Sequence, residues 1–272
     1  MKFLGPALIL AFAAFSAQAA DETAKVIGSP DGRTLFLESR EQARLDGVAA
    51  LDIPDRAEEF DRCLPSLRGP DAVSTTCDLK LAMAARNLLR QMTEGKDVRL
   101  SVDPQQRDDR HGRVLAQVYA PDGHGGELWT QEKLLAAGLA YIRPPVQQEA
   151  ALPALLKTEA AARAAKIGIW QLPEFHPIPP EDAAQYEGRH VFIEGVVLKA
   201  AKTRNKIYLN FGHDWRHDFT AIIEKEDWKK FAKAETDVMT FENRKIRVRG
   251  IIYQDNGPMM RIASPWQIDV VE

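Results

Sequence analysis

The residues able to do chemistry in this sequence are arginines and carboxylates gathered in a few short runs. Arg44 and Asp46 stand two apart in Ala43-Arg44-Leu45-Asp46-Gly47. If that run is a strand, both side chains face one side. Arg113 closes the polar run Asp108-Asp109-Arg110-His111-Gly112 and opens the alternating stretch Val114 to Tyr119. Asp31 lies in Asp31-Gly32-Arg33-Thr34, and Asp52 ends Ala49-Ala50-Leu51-Asp52. A guanidinium matches phosphate oxygens bidentately. Carboxylates hold hard cations or orient an attacking water. Other chemistries lack their motifs. There is no G-x-S-x-G elbow, P-loop, G-x-G-x-x-G or zinc-spaced Cys/His set. His213 and His217 have the i, i+4 spacing of a helical metal pair, but they fall beside Gly212 between two strand-like runs, which reads as a polar loop.

These side chains need a scaffold, and the patterning supplies one. Strand-like runs occur at Thr34–Leu37, Ala43–Leu45, Asp97–Val102 and Val114–Tyr119. Helical periodicity covers Asp78–Met92, Thr130–Ala137 and Ala154–Lys166. In the first helix Leu81, Ala85, Leu88 and Met92 share a face, and Asp78 suits an N-cap. Short strands with packed helices fit an OB-type barrel. Residues 171–181 hold four prolines and read as a semi-rigid linker. Beyond it, further strand-like runs occur at His190–Val197, Lys206–Phe211, Phe219–Ile223, Lys245–Ile252 and Met260–Ile262, with a helix over Lys225–Ala234. The expected fold class is therefore mainly β with α. An OB-fold β-barrel with packed helices is followed by a second, smaller OB-like β-barrel.

The run Asp108 to Tyr119, then Gly138-Leu139-Ala140-Tyr141, then Lys166-Ile167-Gly168-Ile169-Trp170 resembles the staphylococcal nuclease (thermonuclease-like) family in order and spacing. The resemblance covers most of residues 24–170. It implies a metal-dependent phosphodiesterase ancestry, with Arg44 and Arg113 as the phosphate-gripping pair and Ca2+ as the cation of an active site. It also exposes departures. The family's opening Asp-Gly-Asp-Thr reads Asp31-Gly32-Arg33-Thr34 here, so Arg33 stands at a ligand position. The family's Asp-x-Pro-Glu reads Ala49-Ala50-Leu51-Asp52, with Asp52 where the general base would fall. A cation in place of a ligand repels a divalent metal. The expected function is a degenerate nuclease module, with no resident cofactor, that binds a nucleic acid or another phosphate-bearing ligand, or a partner. Its catalytic-position residues are Arg44, Asp52 and Arg113. One alternative is an active phosphodiesterase with Asp31 and Asp46 as rebuilt metal ligands beside Asp52. Another is an envelope scaffold bound to a protein partner. The stretches Tyr208–Gly212, Asp214-Trp215-Arg216 and Gly257-Pro258 before Ser264-Pro265 resemble the appended domain of some exported members.

Met1–Ala19 reads as a signal peptide, with Lys2, an apolar run from Phe3 to Phe15 and the small-x-small end Ala17-Gln18-Ala19. The run is shorter than the ~20 residues of a spanning helix. The expectation is an exported protein, periplasmic or secreted, without a membrane span after cleavage. An even cysteine count in such a chain suggests a Cys63–Cys77 disulfide. The expected units are 1–19 as signal, 24–170 as the first domain, 171–181 as linker and 182–272 as the second domain. The net charge of −3 argues against a strongly basic, general nucleic-acid binder but permits a local basic groove. In the second domain, basic stretches at Lys199–Lys206 and Asn243–Arg249 lie near Tyr208, Phe211 and Trp215. That mixture suits single-stranded nucleic acid or a solvated strand face equally.

Overall fold

The computed structural model describes residues 20–53, 79–214 and 216–271. Residues 1–19, expected to be a signal peptide, and Cys63, Cys77 and Trp215 lie outside the described residues. In chain order the first unit comprises β1 (Ala20–Gly28), β2 (Thr34–Leu37), β3 (Gln42–Leu45), β4 (Val48–Ala49), α1 (Leu79–Thr93), β5 (Asp97–Val102), β6 (Val114–Pro121), β7 (Glu127–Trp129), α2 (Thr130–Ala136), β8 (Tyr141–Ile142) and α3 (Leu152–Ala164). The sheet runs β3-β2-β1-β5-β6-β7, and a parallel β3–β6 pairing closes its first five strands into a barrel. The barrel core is aliphatic: Val26, Leu35, Leu45, Val98, Leu100, Val114 and Val118 are buried with Leu89 of α1 and Leu134 of α2. Removing such side chains from water is the main driving force for closure.

Sequence patterning missed β1. Of its nine residues only Val26 is fully buried, so the apolar alternation that marks a half-buried strand is absent. It is held by antiparallel pairing with β5 from Ala20↔Val102 to Lys25↔Asp97. The small β4–β8 pair, Val48↔Ile142 and Ala49↔Tyr141, is separate from the barrel and links the chain after β3 to the approach to α3.

Two glycines let the chain segments after α2 and α3 meet. Gly138 and Gly168 both have positive φ, 63° and 59°. A Cβ on Gly138 would lie 2.4 Å from the Ile167 carbonyl oxygen, and one on Gly168 would lie 2.0 Å from that of Gly138. Backbone meets backbone here, and the Ile169 N–H donates to the Gly138 carbonyl at 2.8 Å. This contact explains why glycine stands at both positions.

The second unit contains β9 (His190–Val196), β10 (Lys199–Lys202), β11 (Lys206–Asn210), β12 (Thr220–Glu224), α4 (Trp228–Lys233), β13 (Lys245–Gln254), β14 (Pro258–Arg261) and β15 (Ile268–Val270). Its sheet runs β10-β11-β12-β14-β13-β15, with β9 also on β13. It curls around its own core of Ile193, Leu209, Phe219, Ile223, Val248 and Met260. The short strands β10 and β15 escaped the sequence reading, since each pairs over only three or four residues.

Residues 171–181 do not form a free spacer. They include the 3-10 turn Pro173–Phe175, which buries Phe175, and Ile178, which bridges to Ile193 of β9. The prolines set φ for these turns, while the apolar residues between them pack. Leu51, Ala82, Ala162, Ile169, Trp170, Phe175 and Phe192 make a third buried cluster, which joins the two units. Among the described residues no helix is long and apolar enough to cross a membrane.

Candidate anion-binding site

The β3–β6 closure brings the arginines together. Arg44 on β3 pairs with Thr34 of β2 on one side and Leu115 of β6 on the other. Arg33 precedes Thr34, and Arg113 lies two before Leu115, so guanidinium groups flank Arg44 from both neighbouring strands. A fourth arrives by another route. β8 pairs with β4, and the Arg143 N–H donates to the Gly47 carbonyl at 2.9 Å. Burial, together with Arg33, Arg113 and Arg143, pulls the Arg44 pKa down to about 10, against the opposing pull of Asp31. Among the described residues, the guanidinium of Arg44 makes no hydrogen bond or ion pair. A half-buried, partnerless cation among like charges is the electrostatic complement of an anion.

Arg113 is aimed rather than free. The Asp109 carboxylate accepts from the His111 N–H at 2.8 Å, the Arg113 N–H at 3.0 Å and Arg113 Nε at 2.7 Å. These bonds shape the turn and hold Asp109 below its ordinary pKa, against the cost of its burial. Gly112, at φ 71°, allows the chain to double back.

The carboxylates serve other ends. Asp31 accepts from the Arg33 N–H at 2.8 Å and from Thr34 Oγ1 at 3.2 Å, so it organises its own turn. That turn lies hard on α1, because a Cβ on Gly32 would come within 2.6 Å of Ala85 Cβ and 2.8 Å of Ala50 Cβ. Arg33 reaches across to ion-pair with Asp52, whose own side chain is 75% exposed. Asp46 requires the clearest correction. Strand parity placed it beside Arg44, but β3 ends at Leu45 and Gly47 turns the chain at φ 76°. Asp46 is instead buried, 1% exposed. Its carboxylate accepts from the backbone N–H groups of Gln147 at 3.0 Å and Gln148 at 2.9 Å, with the Gln117 side chain at 3.4 Å. Burial raises its pKa, and these donors partly offset the rise. Asp46 therefore anchors the segment that follows β8.

A hard divalent cation needs several oxygen donors around one point. Asp31 and Asp52 both face Arg33, and Asp46 is committed to backbone amides. Among the described residues no three His, Cys, Asp or Glu side chains gather as a metal-binding group. Among the described residues, Asp31, Asp46 and Asp52 do not converge as a donor set for a calcium ion. The loop histidine His217 pairs with Asp214 at 2.8 Å between exposed side chains.

Sequence reading missed Arg143 as a member of the cluster and passed over Tyr141 except as part of a motif. The tyrosine lies within the field of Arg143, Arg33, Asp52 and Arg44, and its burial raises the hydroxyl pKa. The pairing Ala49↔Tyr141 was the hidden link, and nothing in local sequence announces a two-residue strand.

A closed barrel with packed helices, and arginines converging where β3 meets β6, defines an OB-type domain. The family comparison agrees: residues 51–172 match the family described as staphylococcal nuclease homologue. Residues 51–172 are thus similar to that family. An uncharacterized endonuclease of Escherichia coli is 26% identical over 174 residues, covering 64% of this chain and 92% of that protein. An uncharacterized protein of Bacillus anthracis is 28% identical over 151 residues, covering 56% of this chain and 62% of that one. The matched range begins after β4, so Arg33 and Arg44 precede it and Asp52, Arg113, Tyr141 and Arg143 lie within it.

Proposed function

We propose that the first domain, in an exported protein, binds phosphodiester groups of nucleic acid in the Arg44–Arg113–Arg143 cleft without using a bound divalent cation. The carrying observation is the pairing of the charges. Arg33 stands between Asp31 and Asp52 and engages both, while Arg44 makes no hydrogen bond or ion pair among the described residues. A phosphate is the anion that arginines grip best from several directions. Asp52 is tied to Arg33, so its carboxylate faces a cation rather than a water held on a metal.

The similarity to an uncharacterized endonuclease of Escherichia coli favours a second reading, hydrolysis. One experiment separates the two. A fluorescein-labelled oligonucleotide is titrated with protein in EDTA and then in calcium, and product formation is followed by gel. The binding reading expects the same anisotropy rise in both buffers and intact oligonucleotide throughout. Calcium-dependent cleavage that disappears in Arg113→Ala would overturn it.

A further inference from the structure

We propose that the second domain is a working part of the arginine cluster, with His190, Arg249 and Glu159 as positioning residues that set β8, with its Tyr141, and the Arg143 that follows it. The inference rests on the reading that this cleft binds phosphate. Two contacts from the second domain reach β8 independently.

The first is a ring contact. His190 opens β9, and its imidazole packs on Tyr141 with ring centroids 5.0 Å apart. Phe175 meets the same tyrosine edge-on at 5.2 Å, and Phe192 backs the histidine at 5.7 Å. Both ring nitrogens of His190 are buried and, among the described residues, have no hydrogen-bond partner. A histidine that makes no hydrogen bond at such a site contributes through its ring face.

The second contact is a charge relay through α3. Glu159 is 1% exposed and Arg249 of β13 is 3% exposed, and they form an ion pair across the domain boundary. The other oxygen of Glu159 accepts from the Ile142 N–H at 2.7 Å. Ile142 lies between Tyr141 and Arg143, so one carboxylate ties the second domain to the backbone that bears both. Arg249 is itself held between aromatic rings, 5.0 Å from the Phe192 centroid and 5.8 Å from that of Trp266. Trp266 in turn packs against the core of the first barrel. A strand of two residues has little pairing of its own, and these contacts supply the stiffness a binding group needs.

The test uses the full mature chain and a fluorescein-labelled oligothymidylate in EDTA. His190→Leu fills the site without an aromatic ring, and His190→Phe restores a ring against Tyr141. We expect His190→Leu to weaken binding about fivefold and His190→Phe to return it to within about twofold, with both melting at or above wild type. The double variant Glu159→Met/Arg249→Met removes the pair without stranding a charge, and it is expected to weaken binding about as much as His190→Leu. Wild-type affinity in both His190→Leu and the double variant overturns the inference, as does equal loss in His190→Leu and His190→Phe. Arg44→Ala tells the two failures apart. If it binds as wild type does, the phosphate reading itself is wrong. If it loses binding while His190→Leu and the double variant do not, only the role of the second domain fails.

Discussion

Arg44 and Arg113 differ in how they are held, and this sets what each substitution should do. Arg113 is preset by Asp109, whereas Arg44 waits in a field of like charge. A charge-assisted hydrogen bond contributes roughly 1.5–3 kcal/mol, so Arg44→Ala or Arg113→Ala should weaken oligonucleotide binding by about tenfold or more. Asp109→Ala should cost less, because it frees the Arg113 side chain without removing it; titration of the three variants gives the order. His190 carries a stability prediction. Burial, reinforced by Arg249 and Arg143, depresses its pKa to about 3 from an ordinary 6.5. The unfolded chain takes up a proton near pH 6.5 that the folded chain refuses. Stability is therefore present above pH 6.5 and falls as the pH drops toward 3. Over two pH units the loss is about 2–3 kcal/mol. Urea unfolding of wild type and His190→Phe between pH 7 and 4.5 should show a shallower decline in the variant, and parallel declines would contradict the assignment.

At the level of elements, much was legible and some was hidden. β5, β6 and α1 announce themselves because apolar residues recur on one buried face of each: Val98 and Leu100, Val114, Ala116 and Val118, and Ala85, Leu89 and Met92. β1 does not, since its partners β2 and β5 hold it by backbone hydrogen bonds while most of its side chains meet solvent. Arg44 and Arg113 were legible as a pair, whereas Arg143 joins them only through β8. Asp46 was misplaced because parity ends where Gly47 turns the chain. Glu159 sits in an alanine-rich helix that reads as plain core packing, yet it carries the ion pair between the domains. The pairing of Gly138 with Gly168 has a local cause that can be tested. Gly138→Ala or Gly168→Ala places a methyl group against a carbonyl at positive φ, and each should cost about 2–3 kcal/mol in urea unfolding. Gly188 has positive φ with open space around it, so Gly188→Ala should cost less.

Across the whole molecule, a net charge of −3 coexists with a local excess of positive charge. The salt dependence of binding should therefore report the cleft rather than the net charge. If Arg44, Arg113 and Arg143 each neutralise one phosphate of a single strand, log K should fall with log salt at a slope of about −2. The two domains share a buried cluster and a buried ion pair, so they are expected to unfold in one transition. Glu159→Gln takes the nearer carboxylate from buried Arg249, leaving Asp269 at 3.8 Å, and should lower stability by about 3 kcal/mol in that same transition. Two separate transitions in wild type would show that the units are independent.

The most direct measurement is calorimetric titration of the mature protein with thymidine 3′,5′-bisphosphate, with calcium and with EDTA, repeated for Arg44→Ala. The account predicts saturable nucleotide binding of equal affinity in both buffers, lost in Arg44→Ala. Binding that appears or tightens only with calcium would contradict it and return the cleft to metal-dependent chemistry.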